Sequence, residues 1–441
     1  MSQSEKTQES PDGGKRDEHG AISIVQRGNL KALEQTLRKQ WRLGQNIVLC
    51  WSADERGLLV ILVPHYFLGN YCAGAGSEGA EDNEAFIREL ISGTRRRSRD
   101  EMFAISKRLG VAPTFIKLSS ALSDETSVLD AVEQLIRRYG VSYVDSRAVL
   151  LFDIVEFSLY TPFEQASQLN SLSYSLNSAY NKLASRGIDI DFARTTTGDG
   201  YYVWNRRLGA EPNRDLFYFM LLVIADNAVA RVASRGNTVP VIRTAYHVGG
   251  HYELYQAEGV NPSVFSYIVG DVTIELARMI DLAAGEQILV GDFQTEPLEG
   301  SIAADSVSAP AFVSACDLGL DMVAGIQLSG KNVEAMSCHL TEHDDGKGQK
   351  VPRRFRIVDK HGLSRHAYNL QVSMDVSGDH LNLGLDDTRL PGRAASSKQA
   401  EESVGQRDEV ESVDEAASTE ELFDDLASLL KKRNSRSIVE D

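Results

Sequence analysis

A chain of 441 residues, 42% hydrophobic and 25% charged, has room for two folded domains with polar tails. Its net charge of −17 excludes a general nucleic-acid binder, which needs a basic face, yet leaves open a nucleotide site where a few cations act locally. Cys50, Cys72, Cys316 and Cys338 are scattered, without zinc spacing or a disulfide framework, so reduced thiols in a cytoplasmic protein are expected.

Residues 1–20 are polar, unlike a signal peptide, and are expected to be disordered. Residues 21–140 read as an N-terminal α/β region of unassigned role. There Asn29 can cap a helix through Leu43, with Leu30, Leu33, Leu37 and Trp41 along one face. Asn46–Trp51 and Leu58–Val63 read as strands, and Tyr71–Asp82 as a Gly- and Ala-rich loop. Asn83–Leu109 is expected to be helical with a break near Ser92-Gly93. Its Arg95, Arg96, Arg97 and Arg99 read as a solvated face. A further helix covers Asp124–Tyr139.

The chain then reaches Ala148–Ser158, AVLLFDIVEFS. This apolar run is long enough for a strand buried on both faces and too short for a typical helix. Asp153 stands at its end, costly to bury without a cation, and Ser158 or Thr161 can cap the helix Phe163–Ala184 that follows. In Asp189–Trp204, two strand-like runs flank Thr197-Gly198-Asp199-Gly200, which reads as a tight hairpin with the acid at its tip. Two strand-end carboxylates that meet in space would suit one or two hard divalent cations, most naturally Mg²⁺ on phosphates.

Asn213–Ser234 reads as a helix. Its apolar stretch Leu216–Ala225 is too short to span a bilayer, so a buried core helix and no membrane span are expected. Val239–Val248 reads as a strand holding Arg243 and His247, Gly249–Pro262 as an irregular excursion and Val264–Val269 as a strand. The helix Asp271–Ala284 and the strand Gln287–Val290 follow. Asp292–Asp321 is loosely patterned, and Met322–Leu340 is strand-like. His343–Pro352 reads as a charged loop, and Phe355–Leu370 as two strands around His361-Gly362. Alternating strands and helices predict an α/β fold, an α+β sandwich with a central mixed sheet flanked by helices. The folded part is expected to end near residue 387. Residues 388–441 read as an acidic disordered tail holding a short amphipathic helix.

The segments FDIVEFS, TTTGDGYY, RTAYHVGG and YIVGDVTIELARMIDLAAGEQILV, in that order, resemble the catalytic domain of class III nucleotidyl cyclases. The likeness covers about residues 148–293, weakening to about 340, and sits inside a domain drawn at 141–387. It implies a homodimer acting on a nucleoside triphosphate, with sites at the interface and Mg²⁺ or Mn²⁺, two per site. Asp153 and Asp199 match the metal-binding aspartates, and the Ile154 carbonyl matches a backbone ligand. Turn amides at Phe157 and Ser158 match the phosphate cradle. Arg278 matches the transition-state arginine, contributed by the opposite subunit.

Other positions depart from that pattern. Ile274 stands where a ribose-orienting Asn is usual, and Glu156 where Gly is usual. Ser329 takes the place of a phosphate-binding Lys, with Lys331 two residues on as the substitute. The base-reading positions hold Thr195 and Tyr267, which match neither the adenine nor the guanine readers. The resemblance therefore implies either a pyrimidine substrate, as in related bacterial cyclases of antiviral defence, or ATP held through backbone contacts. The alternative is a catalytically weakened dimer of the same fold that binds nucleotide or serves regulation. Near the site, Asp359–Gly362 reads as a β-turn, with Lys360 or His361 reaching the pocket as the other reading.

Overall fold

The computed structural model describes residues 22–73, 76–299, 305–344, 346–358 and 364–386. The N-terminal and C-terminal tails expected at 1–20 and 388–441, and the turn at His361-Gly362, lie outside the described residues.

The first part of the chain builds a small sheet of its own. Helix α1 (Ile24–Trp41) begins earlier than expected, because the Ser23 hydroxyl accepts from the Gln26 amide. Strands β1 (Asn46–Asp54) and β2 (Gly57–Pro64) follow. The stretch read as a loop at Tyr71–Asp82 instead falls largely within α2 (Phe67–Ala73) and α3 (Gly76–Ile91). Its glycines are tolerated because Ile87, Leu90 and Ile91 dock on the sheet. Helix α4 (Arg99–Leu109) opens with a Ser98/Glu101 capping box. Strand β3 (Thr114–Lys117) completes a three-stranded antiparallel sheet, and α5 (Thr126–Arg137) packs beside α1.

Of the arginine cluster, Arg96 and Arg99 are exposed as expected, but Arg95, between α3 and α4, departs from expectation. Arg95 is 0% exposed and lies off any helix. Its Nη1 donates to the Val48 carbonyl (2.8 Å), and its Nη2 donates to the Val141 carbonyl and to Ser142 Oγ (2.9 Å). Burial lowers its pKa to about 10, which leaves it charged at neutral pH. The guanidinium thus fastens the small sheet to the start of the central strand. Removing it would leave buried carbonyls unpaired, so Arg95→Met should cost about 3 kcal/mol in chemical denaturation. A change near zero would contradict this placement.

The central strand β4 (Val141–Ile154) is longer than Ala148–Ile154 alone, and the 3₁₀ turn Phe157–Leu159 follows it. Next come α6 (Pro162–Ala184), capped by Thr161, the hairpin β5 (Phe192–Thr196) and β6 (Gly200–Asn205), and α7 (Ala210–Ala233). Helix α7 has the length and hydropathy to cross a membrane, but it is the core helix of this fold, with Leu216–Ala225 buried throughout. Strand β7 (Ile242–Glu258) runs through the segment read as an irregular excursion. Its glycines permit close packing: a Cβ at Gly250 would come within 2.7 Å of the Tyr143 hydroxyl.

Strand β8 (Asn261–Val269), α8 (Asp271–Leu282) and β9 (Ile288–Gly291) follow. The loosely patterned stretch contains β10 (Gln294–Thr295), β11 (Val307–Ser308) and α9 (Ala309–Asp317), whose Phe312 packs on Phe217 and Tyr246. Strands β12 (Gln327–Leu328) and β13 (Lys331–Leu340) form a hairpin. So do β14 (Glu342–Asp344) and β15 (Lys350–Pro352), where a charged loop was expected. Strands β16 (Arg354–Val358), β17 (Ser364–Val376) and β18 (Asp379–Leu383) end the described chain.

The fold is α/β. An 11-stranded mixed sheet runs β12-β13-β17-β9-β7-β4-β6-β5, with β16 and β18 on β17 and β8 on β7. Only the β7–β9 pair is parallel among the described strands. Helices α6, α7 and α9 bury one face, and α8 packs on the other.

Candidate functional site

Antiparallel pairing brings three chain segments together at one end of β4. Asp153 is in register with Gly200 on β6 and with Arg243 on β7. The β5–β6 turn is locked there, because the Ile154 amide donates to the Asp199 carbonyl (2.9 Å). Gly198 has φ +103°, and a Cβ at Gly200 would lie 1.9 Å from the Phe152 carbonyl oxygen. Glycine is therefore required on both sides of Asp199. The hairpin expectation holds for a steric reason.

Asp153 is 7% exposed, and its Oδ2 accepts from Arg243 Nε (2.6 Å). Burial raises its carboxyl above the usual range, Arg243 opposes the shift, and the charges of Asp199 and Asp281 add to it. Asp199 Oδ1 accepts from the Thr197 hydroxyl (3.2 Å). Arg243 also donates to the Ala283 carbonyl (3.1 Å), which ties the pair to the end of α8. The acidic pair thus meets one guanidinium, with the carboxylate of Asp281 close by. Two carboxylates and the main-chain carbonyl of Ile154 are hard oxygen donors, and the negative charge left beyond that of Arg243 suits a divalent cation. Among the described residues no group of three His, Cys, Asp or Glu side chains gathers as a metal cage. Mg²⁺ commonly needs only one or two carboxylates when phosphates complete its shell. The donors present fit such an ion.

Past the strand, Glu156 has φ 57°, the left-handed conformation that glycine adopts most easily, and its side chain is exposed. The position thus keeps a glycine-like backbone without a glycine. Amides of Phe157 and Ser158 follow in the 3₁₀ turn, ahead of the Thr161/Glu164 capping box of α6. Glu156→Gly should gain about 1 kcal/mol in chemical denaturation and also remove a negative charge beside this turn. A loss of stability would mean that the Glu156 side chain holds the turn.

Thr195 on β5 pairs with Tyr202, and Tyr267 on β8 pairs with Leu254. Both are half-buried, and their two strands lie against each other. Tyr202 donates its hydroxyl to the Thr273 carbonyl (3.1 Å), which anchors β6 to α8. On α8, Ile274 is exposed, and Arg278 Nη1 donates to Asp281 Oδ2 (3.2 Å). Lys331 is not brought to the acidic pair within one chain. It starts β13, with β17, β9 and β7 between it and β4, and its Nζ donates to Asp379 (2.9 Å). Sequence reasoning gave Arg243 and Asp281 no role, since only strand register and helix docking reveal their approach to Asp153.

No family model and no curated protein matches the chain. Among solved structures it is similar to the guanylate cyclase domain of RhGC from Catenaria anguillulae in complex with GTP. That likeness has 14% identity over 52% of this chain and 97% of the other, with a TM-score of 0.32. It is also similar to the adenylyl cyclase CyaB from P. aeruginosa, at 12% identity over 57% of this chain and 99% of the other, with a TM-score of 0.31.

Proposed function

We propose that this chain is a nucleotidyl cyclase, converting a nucleoside triphosphate to its 3′,5′-cyclic monophosphate and pyrophosphate at sites shared by two copies. The observation that carries the reading is the locking of the Asp199 turn against the Asp153 end of β4. Asp153, Asp199 and the Ile154 carbonyl would hold Mg²⁺ or Mn²⁺, two ions per site. When bound, the ions would neutralise the triphosphate and favour ionisation of the ribose 3′-hydroxyl.

The chain's own groups do the rest. Arg243 orients Asp153 and opposes the rise of its pKa on burial. The amides of Phe157 and Ser158 donate to phosphate oxygens. Arg278 of the second copy stabilises charge that develops on the transferring phosphoryl group. Lys331 of the second copy would add a phosphate contact on leaving Asp379. Exposed apolar side chains on β8 and α8, including Phe265 at 70% and Leu282 at 56%, support a paired surface. Thr195 and Tyr267 offer no charge to the base, which fits a pyrimidine or an adenine held through the backbone.

One feature favours a second reading, a nucleotide-binding dimer without turnover: exposed Ile274 cannot orient a ribose by hydrogen bonding. Incubation of the purified protein with ATP, GTP, CTP and UTP separately, with Mg²⁺ or Mn²⁺, decides between them by mass spectrometry. The cyclase reading expects one cyclic nucleotide plus pyrophosphate. Binding without product would establish the second reading.

A further inference from the structure

Outside the acidic pair, one group of charged side chains is buried and takes no part in the chemistry above. Arg147, 4% exposed, follows the bulge in β4. Its Nη1 donates to Glu253 Oε2 (3.2 Å) and lies 3.2 Å from His251 Nε2, and its Nη2 donates to the Arg206 carbonyl (3.1 Å). Glu253 Oε1 accepts from the Ser266 hydroxyl (2.6 Å). Burial alone would raise the Glu253 pKa, but Arg147 and Ser266 outweigh it and leave the carboxyl below its usual value. Burial pushes His251 down to about 4, so its ring is neutral at pH 7.

This chain of bonds has two informative ends. One is Ser266, the residue before Tyr267 on β8. The other is Arg206, whose amide donates to the Asp191 carbonyl (2.8 Å). Arg206 Nη1 also donates to Asp191 Oδ1 (2.7 Å) and to the Phe192 carbonyl (3.3 Å). These contacts fix the start of β5, the strand of Thr195. In the order of hydrogen-bonded strands, β7, β4 and β6 stand between β8 and β5. β5 and β8 also lie against each other, and the network adds directed side-chain bonds to that contact.

Stability alone does not explain it. Apolar side chains of similar volume often hold a fold as well as a buried ion pair does. This pair also leaves Arg147 Nε without a partner among the described residues. What apolar packing does not supply is direction, since each charge-assisted bond fixes its donor against one acceptor.

We propose that the Arg147–Glu253–Ser266 network positions Tyr267 relative to Thr195 and thereby sets which base the pocket accepts. The proposal rests on the cyclase reading, in which these two residues face the base. Arg147, Glu253 and Ser266 are positioning residues and touch no substrate.

The test is calorimetric binding of ATP, GTP, CTP, UTP and inorganic tripolyphosphate to the full chain and to Ser266→Ala. That variant removes one hydroxyl and keeps the ion pair whole. Glu253→Gln is a second variant, used once its melting curve shows folded protein, because it strands a buried guanidinium. The ratio of dissociation constants between the worst and best base should shrink about three- to tenfold in Ser266→Ala. Tripolyphosphate affinity should stay within about twofold, as the residues proposed to hold the phosphates make none of the network's bonds. An unchanged ratio in Ser266→Ala, or equal weakening of nucleotides and tripolyphosphate, overturns the proposal. If the unaltered chain binds tripolyphosphate but no nucleotide more tightly, the base-facing assignment itself fails and the proposal falls with it.

Discussion

Asp153→Asn and Asp199→Asn should each lower turnover by roughly a thousandfold or more while leaving a folded protein of unchanged oligomeric state. Both carboxylates sit at one place, since the Ile154 amide holds the Asp199 carbonyl at 2.9 Å. Each substitution removes one charged oxygen donor from the cations and preserves side-chain volume. The two variants differ in one respect. Asn at 153 leaves Arg243 beside an uncharged partner, where the guanidinium now has a bond of 2.6 Å to Asp153. The Asp199 carboxylate accepts from the Thr197 hydroxyl (3.2 Å). Because burial already disfavours the Asp153 charge in spite of Arg243, Asp153→Asn is expected to be at least as stable as Asp199→Asn. Initial rates at saturating Mn²⁺, with light scattering and melting curves on the same samples, check this. Turnover retained by either variant would contradict the metal assignment.

The second large effect belongs to Arg278. Arg278→Ala should lower kcat by about a thousandfold and change KM little, because the contact is made as charge develops on the phosphoryl group. Within one chain, Arg278 Nη1 is held by Asp281 at 3.2 Å. That bond orients the guanidinium along α8, and the arginine would give it up on reaching a substrate. Steady-state kinetics with the preferred nucleotide separate the two constants. A raised KM with unchanged kcat would mean that Arg278 merely binds the ground state.

The acidic pair was legible in the sequence because its two supports are local. A strand buried on both faces reads as an unbroken apolar run, and a tight tip reads as glycine on both sides of an acid. The helices with clear apolar stripes, such as α1 and α5, were legible on the same ground. What escaped depends on partners far along the chain. Arg95 looks like any surface arginine until the Val48 and Val141 carbonyls close on it. Arg243 gains its role only from register, which places it opposite Asp153. The continuous β7 was hidden because Gly249 and Gly250 resemble a break, whereas Gly250 is pressed against Tyr143. Helix α9 was missed because it is short, and its burial of Phe312 depends on α7 and β7.

The claim on which everything else depends is that the acidic pair of one copy works with the arginine of another. Mixing Asp153→Asn with Arg278→Ala tests it most directly. A mixed dimer would contain one site with both aspartates and an intact arginine, and one site lacking both contributions. Turnover should return to a substantial fraction of the unaltered rate, although each variant alone is nearly inactive. No recovery, with mixed dimers demonstrated by mass spectrometry of the intact complex, would contradict the shared site.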